Sequence, residues 1–344
     1  MHARVALLTA LAGGALALAA PPARAIDVPV RKLPGATGLT AYGGWVVWSV
    51  RDATTGRWSL WRWHEGRTRA LPARTQPLPF DADAGPDRRG RPVVVFSRCT
   101  AVPAPSAGRR ALASGCDLWS LRLAGGRPRR LPGVSTRAAS ETRPAIWRDG
   151  LAFQRRAPGA AGGELWLRRP GTRRLRRLAV PSAPSGGSAV AAQLDLGPQA
   201  LTVLWGSGTA DEVLLYLGAR DPLTLVREPA QPGLAIDLVG PNAAGRGAVW
   251  GASGAAAGQA PSGGFFAYDA RGRAGARVAA PDLPRAVALD GGVVWWLRGG
   301  CPSRPPTCEL LRSTGLNFQP FAITPSPAAP PAGRAAPARP AAGP

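Results

Sequence analysis

The feature that most constrains this chain is a repeat. Short β-type runs ending in an aromatic recur along it: Val46-Val47-Trp48, Val94-Val95-Phe96, Leu151-Ala152-Phe153, Val203-Leu204-Trp205, Ala248-Val249-Trp250 and Val294-Trp295. Their aromatic residues are separated by 48, 57, 52, 45 and 45 positions. A turn signal usually precedes each run, as in Gly43-Gly44, Asp149-Gly150 and Asp290-Gly291-Gly292. A second run follows after a polar loop, in Ser59-Leu60-Trp61, Asp117-Leu118-Trp119 and Glu164-Leu165-Trp166 among others. A third, Arg-rich run closes several units, ending in Leu71-Pro72, Leu131-Pro132 and Leu178-Ala179-Val180-Pro181. With an inner strand before each turn, a unit holds four short strands, which is the period of a β-propeller blade. Six units fill residues 36–323. The fold class expected is therefore all-β: a six-bladed β-propeller of four-stranded antiparallel blades.

Composition agrees. Gly and Pro number 44 and 37, which favours turns over long helices, and 45% of the chain is apolar, enough to build a core. One blade cannot bury both its faces, so the ring must close. Val30-Arg31-Lys32-Leu33-Pro34 copies the blade-ending pattern of Arg69-Ala70-Leu71-Pro72, so the N-terminal strand is expected to complete the last blade and hide its edge. The rival for that place is Phe318–Thr324.

Residues 1–25 read as a secretory signal: a short basic start, an apolar run from Val5 to Ala20, and Ala23-Arg24-Ala25 as a small-x-small cleavage site. The run is shorter than the roughly 20 residues of a membrane span. The expected divisions are thus a signal (1–25), a propeller (26–324) and a disordered Pro/Ala-rich tail (325–344). The product is expected to be secreted or held in the cell envelope, without a membrane span, as a monomer.

The stretch Pro86-Asp87-Arg88-Arg89-Gly90-Arg91-Pro92-Val93-Val94-Val95-Phe96-Ser97-Arg98, followed by Asp117-Leu118-Trp119-Ser120-Leu121 and Gly125-Gly126-Arg127-Pro128-Arg129-Arg130-Leu131, resembles the repeat of TolB-like six-bladed propellers. In that family a proline-aspartate-glycine turn precedes an apolar strand and a glycine-glycine turn precedes an arginine-leucine ending. The second unit matches well, the first, third and sixth in part, and the fourth and fifth weakly. The N-terminal α/β domain of TolB has no counterpart in this sequence. The resemblance implies the fold, shared with WD40-like repeats, and a habit of binding proteins.

Four Cys in an exported chain permit three pairings. Cys99 directly follows the second strand of the second unit and Cys116 precedes its third; Cys301 and Cys308 occupy the equivalent loop of the sixth. Local disulfides 99–116 and 301–308 are expected, the first contributing roughly 3 kcal/mol through loop entropy. A zinc site is the weaker reading, since neither pair has a nearby His.

The net charge is +23, and only Lys32 is lysine among the 43 basic residues. So lopsided a ratio reflects coding bias as well as charge, yet the field attracts anionic partners whatever its origin. The loops joining second to third strands emerge on one face of a propeller, and four of them open with arginine: Arg51, Arg98, Arg155 (with Arg156) and Arg298. These four are the expected binding residues for an anionic envelope protein or cell-surface polymer, with nucleic acid not expected.

Catalytic chemistry is sparse. Beyond the signal His64 is the sole histidine, and no phosphate-binding loop, dinucleotide fingerprint, zinc-protease motif or nucleophile elbow is present. Asp81, Asp83 and Asp87 alternate as in a calcium loop but lack its distal acid. No cofactor, metal or catalytic residue is expected, and the main reading is a non-enzymatic binding scaffold. The alternative is a carbohydrate-active hydrolase or lyase using Asp81, Glu141 and Asp237 near the inner strands. Trp58, Trp61 and Trp63 could stack sugars, but Trp61 shares its register with Trp119 and Trp166, as blade-to-blade core does.

Overall fold

The computed structural model describes residues 26–33, 36–101, 114–160, 162–181, 189–206, 210–218, 221–229, 234–256, 262–269, 274–280, 284–299, 308–314 and 319–321. The expected signal, the expected tail and Cys301 lie outside these residues. Among them there is no helix, and so none long and apolar enough to cross a membrane.

Six sheets follow one another in chain order. The first blade is β2 (Ala36–Tyr42), β3 (Trp45–Arg51), β4 (Trp58–His64) and β5 (Arg67–Ala70); β1 (Ile26–Lys32) precedes it. The second is β6 (Asp83–Pro86), β7 (Pro92–Ala101), β8 (Ser114–Arg122) and β9 (Arg129–Arg130). The third is β10 (Ser140–Trp147), β11 (Gly150–Arg156), β12 (Glu164–Arg168) and β13 (Leu175–Arg177). The fourth is β14 (Val190–Leu196), β15 (Leu201–Gly206), β16 (Ala210–Tyr216) and β17 (Leu223–Pro229). The fifth is β18 (Leu234–Ala244), β19 (Gly247–Ala256), β20 (Ser262–Asp269) and β21 (Ala274–Ala280). The sixth has β22 (Pro284–Asp290), β23 (Val293–Arg298) and β24 (Glu309–Thr314), and β25 (Gln319–Phe321) follows it. The chain is a six-bladed propeller of antiparallel blades.

Both rivals for the last edge find places, but different ones. β1 pairs antiparallel with β24 from Ile26↔Thr314 to Lys32↔Glu309, so the N-terminal strand closes the sixth blade. Ser313, fully buried, donates its hydroxyl to Asp27 and accepts the indole N–H of Trp296 at 2.8 Å. β25 instead pairs with β21 and adds a fifth strand to the fifth blade. Two otherwise open edges are thereby covered.

The second strand of each blade is apolar on both faces because both meet a neighbouring blade. Val46 and Trp48 pack with Trp295 and Leu310 of the sixth blade, while Val47 packs with Val94 and Phe96 of the second. Phe153 meets Leu118, Trp205 meets Leu165, and Trp250 meets Val213, each aromatic facing the blade before it. In the sixth blade the residue that does so is Trp296, against Val249 and Phe265, and not Trp295. The equivalence of Val294-Trp295 with Val47-Trp48 is therefore corrected by one residue. In a strand of period two that residue decides which seam the ring enters. Trp61, Trp119 and Trp166 all lean on the seam before them, as their shared register implies.

Polar side chains of the inner strands then latch each blade to the next. The hydroxyl of Thr40 accepts the N–H of Ala84 (2.7 Å), Asp83 that of Ile146 (2.8 Å), and Asp195 that of Ala243 (2.5 Å). Asn242 accepts from Leu289 (3.2 Å), and Asp290 accepts from both Gly43 and Gly44 (2.9 and 2.7 Å), whose left-handed φ turns both N–H groups toward it. Among the described residues five of the six seams carry such a bond.

Cys99 and Cys116 face each other across β7 and β8 and are disulfide-bonded, with Cα atoms 3.9 Å apart. Cys308 is also disulfide-bonded. Changing both Cys99 and Cys116 to Ser should lower the unfolding free energy by about 3 kcal/mol in denaturant titration; a loss below ~1 kcal/mol would show that the bridge closes nothing the seam does not. Ser313→Ala should cost about 1–3 kcal/mol, because it leaves a buried indole N–H without its acceptor; an unchanged midpoint would remove the closure role given to it.

Candidate functional site

The inner strands break register at one level. Shifts fall between Thr37 and Leu39, Thr142 and Ala145, Ala191 and Gln193, Val239 and Asn242, and Pro284 and Ala286. A bulge inserts a residue, bends the strand and re-aims a side chain. At this level a cavity of about 220 Å³ opens on the axis, with residues of all six blades in its wall, including Gly38, Asp81, Arg143, Gln193, Val239 and Arg285. It lies at the end of the ring where inner strands begin and second strands finish.

Two of the bulges present arginines to the cavity. Arg143 has φ +52°, a left-handed conformation costly for a residue with a Cβ. It is held there because its N–H donates to Asp81 Oδ2 at 2.6 Å. Asp81 Oδ1 accepts the N–H and hydroxyl of Ser97 at 2.9 and 2.6 Å. Asp81 thus stands in the wall of the cavity with three donors on its carboxylate, and its role is to position Arg143.

One residue further along the strands than Ala82 and Leu194, which line the cavity, come Asp83 and Asp195. Asp83 accepts the hydroxyl of Thr40 at 3.1 Å besides its latch to Ile146. The two carboxyl groups interact, each shifting the titration of the other. Burial, and then the charge of Asp195, hold the Asp83 carboxyl well above the usual range. Burial pushes Asp195 up to about 6 against Ala243, Asp83 and Leu196, which each favour its ionised form. Two interacting carboxylates at a buried site repel each other, which favours keeping a proton on the pair.

The other sequence candidates take different positions. Glu141 is fully buried and accepts from Thr136 N–H (3.2 Å), Thr136 hydroxyl (3.0 Å) and Arg155 Nε (3.0 Å); burial raises its pKa against those partners. Asp237 pairs with Ser253 in β18 and β19, and its side chain lies outside the described residues. Asp81, Asp83 and Asp87 serve separate partners, Asp87 binding Arg91 at 2.6 Å within its own turn. Arg51, Arg98, Arg155 and Arg298 all stand at the cavity end of second strands. Arg155 pairs with Glu141 and also donates to Val134 O at 2.7 Å, and Arg298 pairs with Glu309. Arg98 lies over the Trp119 ring at 4.4 Å, and Arg51 is exposed.

No family model matches the chain, and no curated protein matches it in sequence. Among solved structures it is similar to the PQQ-bound form of aldose sugar dehydrogenase from Streptomyces coelicolor. TM-score is 0.51 and identity 16%, over 86% of this chain and 99% of that one. Trypanosoma rangeli sialidase in complex with the inhibitor DANA matches at TM-score 0.47 and 9% identity, over 83% and 55% of the two chains. AofleA from Arthrobotrys oligospora matches at 0.46 and 11%, over 87% and 90%. At these identities the likeness is one of fold, and what holds of the TolB-like resemblance is the six-bladed ring. The aldose sugar dehydrogenase is an enzyme built on such a ring, so the expectation that this chain is not an enzyme is corrected: the fold gives no ground for it. That expectation rested on the lone His64, whereas inner strands can bring together carboxyl groups far apart in sequence.

The pair has a pH signature. Its native carboxyls stay protonated where the unfolded chain, with Asp near 3.8, has ionised. The folded state therefore binds more protons above about pH 4, and stability falls as pH rises through about 6 and beyond. Asp195→Asn should remove a penalty of about 2–3 kcal/mol at pH 8, because its amide carries no charge while its carbonyl still accepts from Ala243. Thermal melts at pH 5 and pH 8 should show a flatter dependence in the variant; an unchanged slope would mean the two groups do not perturb each other.

Proposed function

We propose that the chain is an exported, TolB-like propeller that acts on an acidic polysaccharide at its axis as a lyase. The observation that supports this is an interacting carboxyl pair directly beyond a cavity whose wall carries two arginines. Arg143 and Arg285 would hold a sugar carboxylate, and drawing charge from it acidifies the adjacent C–H. Asp195 would take that proton, the C–O bond to the leaving sugar would break with formation of a C=C bond, and Asp83 would give its own proton to the departing oxygen. The proton then lies on Asp195 and returns to Asp83.

Two-carboxylate glycosidases hold their groups about 5–10 Å apart to flank the bond, whereas Asp83 and Asp195 perturb each other directly, which supports elimination over hydrolysis. Arg51 and Arg98 would extend contact with the polymer on the same face, and Arg155 and Arg298 would hold the loops beside it through Glu141 and Glu309. The disulfide supports an extracytoplasmic location.

Polyuronates incubated with the protein should yield unsaturated products visible by ultraviolet absorbance. Asp195→Asn should lower the rate about 100-fold or more while the fold persists. Arg143→Gln should raise KM. Reducing ends released without unsaturation, or equal rates for Asp195→Asn and wild type, would sink the lyase reading.

A further inference from the structure

The charge of this protein is divided along the ring. Residues 36–181, the first three blades, hold 27 arginines and 9 acidic residues; residues 182–323 hold 10 and 10. A coding bias acts on the whole chain and does not divide it in two, so the first half-ring carries charge for a reason of its own.

The fold places much of that charge at the outer edge. The outer strands β5, β9 and β13 and the turns leading into them carry Arg67, Arg69, Arg127, Arg129, Arg173 and Arg174, all exposed. Among the described residues none of these six is ion-paired, whereas their neighbours Arg130 and Arg177 are, to Asp117 and Glu164. Arg69 even stands directly opposite Arg62 across β4 and β5, a like-charge pair that costs stability without an anion to relieve it. Of the outer strands of the other blades, β17 carries Arg227 beside Glu228, β21 carries Arg277, and β1 carries Arg31 and Lys32 with Asp27.

We propose that the outer edge of the first three blades is a docking track for a linear acidic polysaccharide, one blade engaging each successive stretch of chain. Guanidinium forks recurring at the same place in consecutive blades suit a polymer with a carboxylate on each repeat. A lipid surface fits less well, because the exposed large apolar side chains among the described residues are Val28 and Leu223, in the sixth and fourth blades. The track rests on the proposed function only for the identity of its polymer. Its arginines lie toward the 3–4 turns, at the end of the ring away from the axial cavity, so the two can fail separately.

The test uses the full chain with Asp195→Asn, so that no turnover interferes, and polygalacturonate as the probe. A triple variant Arg67→Gln, Arg127→Gln, Arg173→Gln is compared with a triple in the neutral half, Arg227→Gln, Arg246→Gln, Arg312→Gln. The first should weaken binding about tenfold or more and flatten its dependence on salt; the second should change it less than about threefold. Equal losses from the two triples, or equal affinity for uncharged dextran, would overturn the track. Tighter binding to anionic vesicles or to duplex DNA would overturn the polysaccharide assignment. Binding lost by the first triple while wild type shows no lyase activity would support the track and dispose of the axial reaction alone.

Discussion

The propeller depends on side chains that satisfy the backbone of a different blade. An inner strand has a sheet neighbour on one side only, so its outward N–H groups need partners across the seam. Thr40, Asp83, Asp195, Asn242 and Asp290 supply them, each reaching the next blade in the same rotational sense. Apolar packing in the seams is broad and non-directional, and by itself it would tolerate a blade sliding along its neighbour. The latches fix the height at which each inner strand stands, and thereby bring Asp83 and Asp195, 112 positions apart, close enough to perturb each other's charge.

The blades were legible in the sequence because each second strand must be apolar on both faces, which writes a short unbroken run such as Val93-Val94-Val95-Phe96. The local disulfide 99–116 was legible because strand neighbours are also near in sequence. Closure by Val30-Arg31-Lys32-Leu33 was legible for a different reason: a blade-ending pattern at the wrong end of the chain has only one blade left to end. The one-residue error in the sixth blade came from two adjacent tryptophans: Trp295 and Trp296 are equivalent to a composition-based reading, and only the turn at Asp290↔Val293 tells them apart.

The axial pair was not legible. Asp81, Asp83 and Asp87 stand within seven residues, and no local pattern says which meets a partner from the fourth blade. Asp195 sits in Gln193-Leu194-Asp195-Leu196, an ordinary alternation for a strand with one polar face. What distinguishes these two is that the second and fourth blades bring them near each other, a relation that exists only once the ring has closed. Glu141 was the more conspicuous candidate, yet its buried bond to Arg155 makes it part of the loop's scaffold: leaving either charge without the other would cost several kcal/mol.

Latches and bulges divide the axis into two functional levels. Where the latches lie, five of the inner strands are pinned to the next blade, and burial raises the pKa of two interacting carboxyls. A step nearer the mouth the strands lose register, the backbone turns, and Gly38 and Ala192 leave space that Arg143 and Arg285 border. The strain at Arg143 is tolerable because Asp81, itself anchored on Ser97, holds its N–H. A rigid floor that stores a proton, below a mouth that presents positive charge, is an arrangement neither level produces alone. The neutral half of the ring contributes one carboxyl and one arginine to it, the basic half the other two, so both halves of the ring meet at the axis.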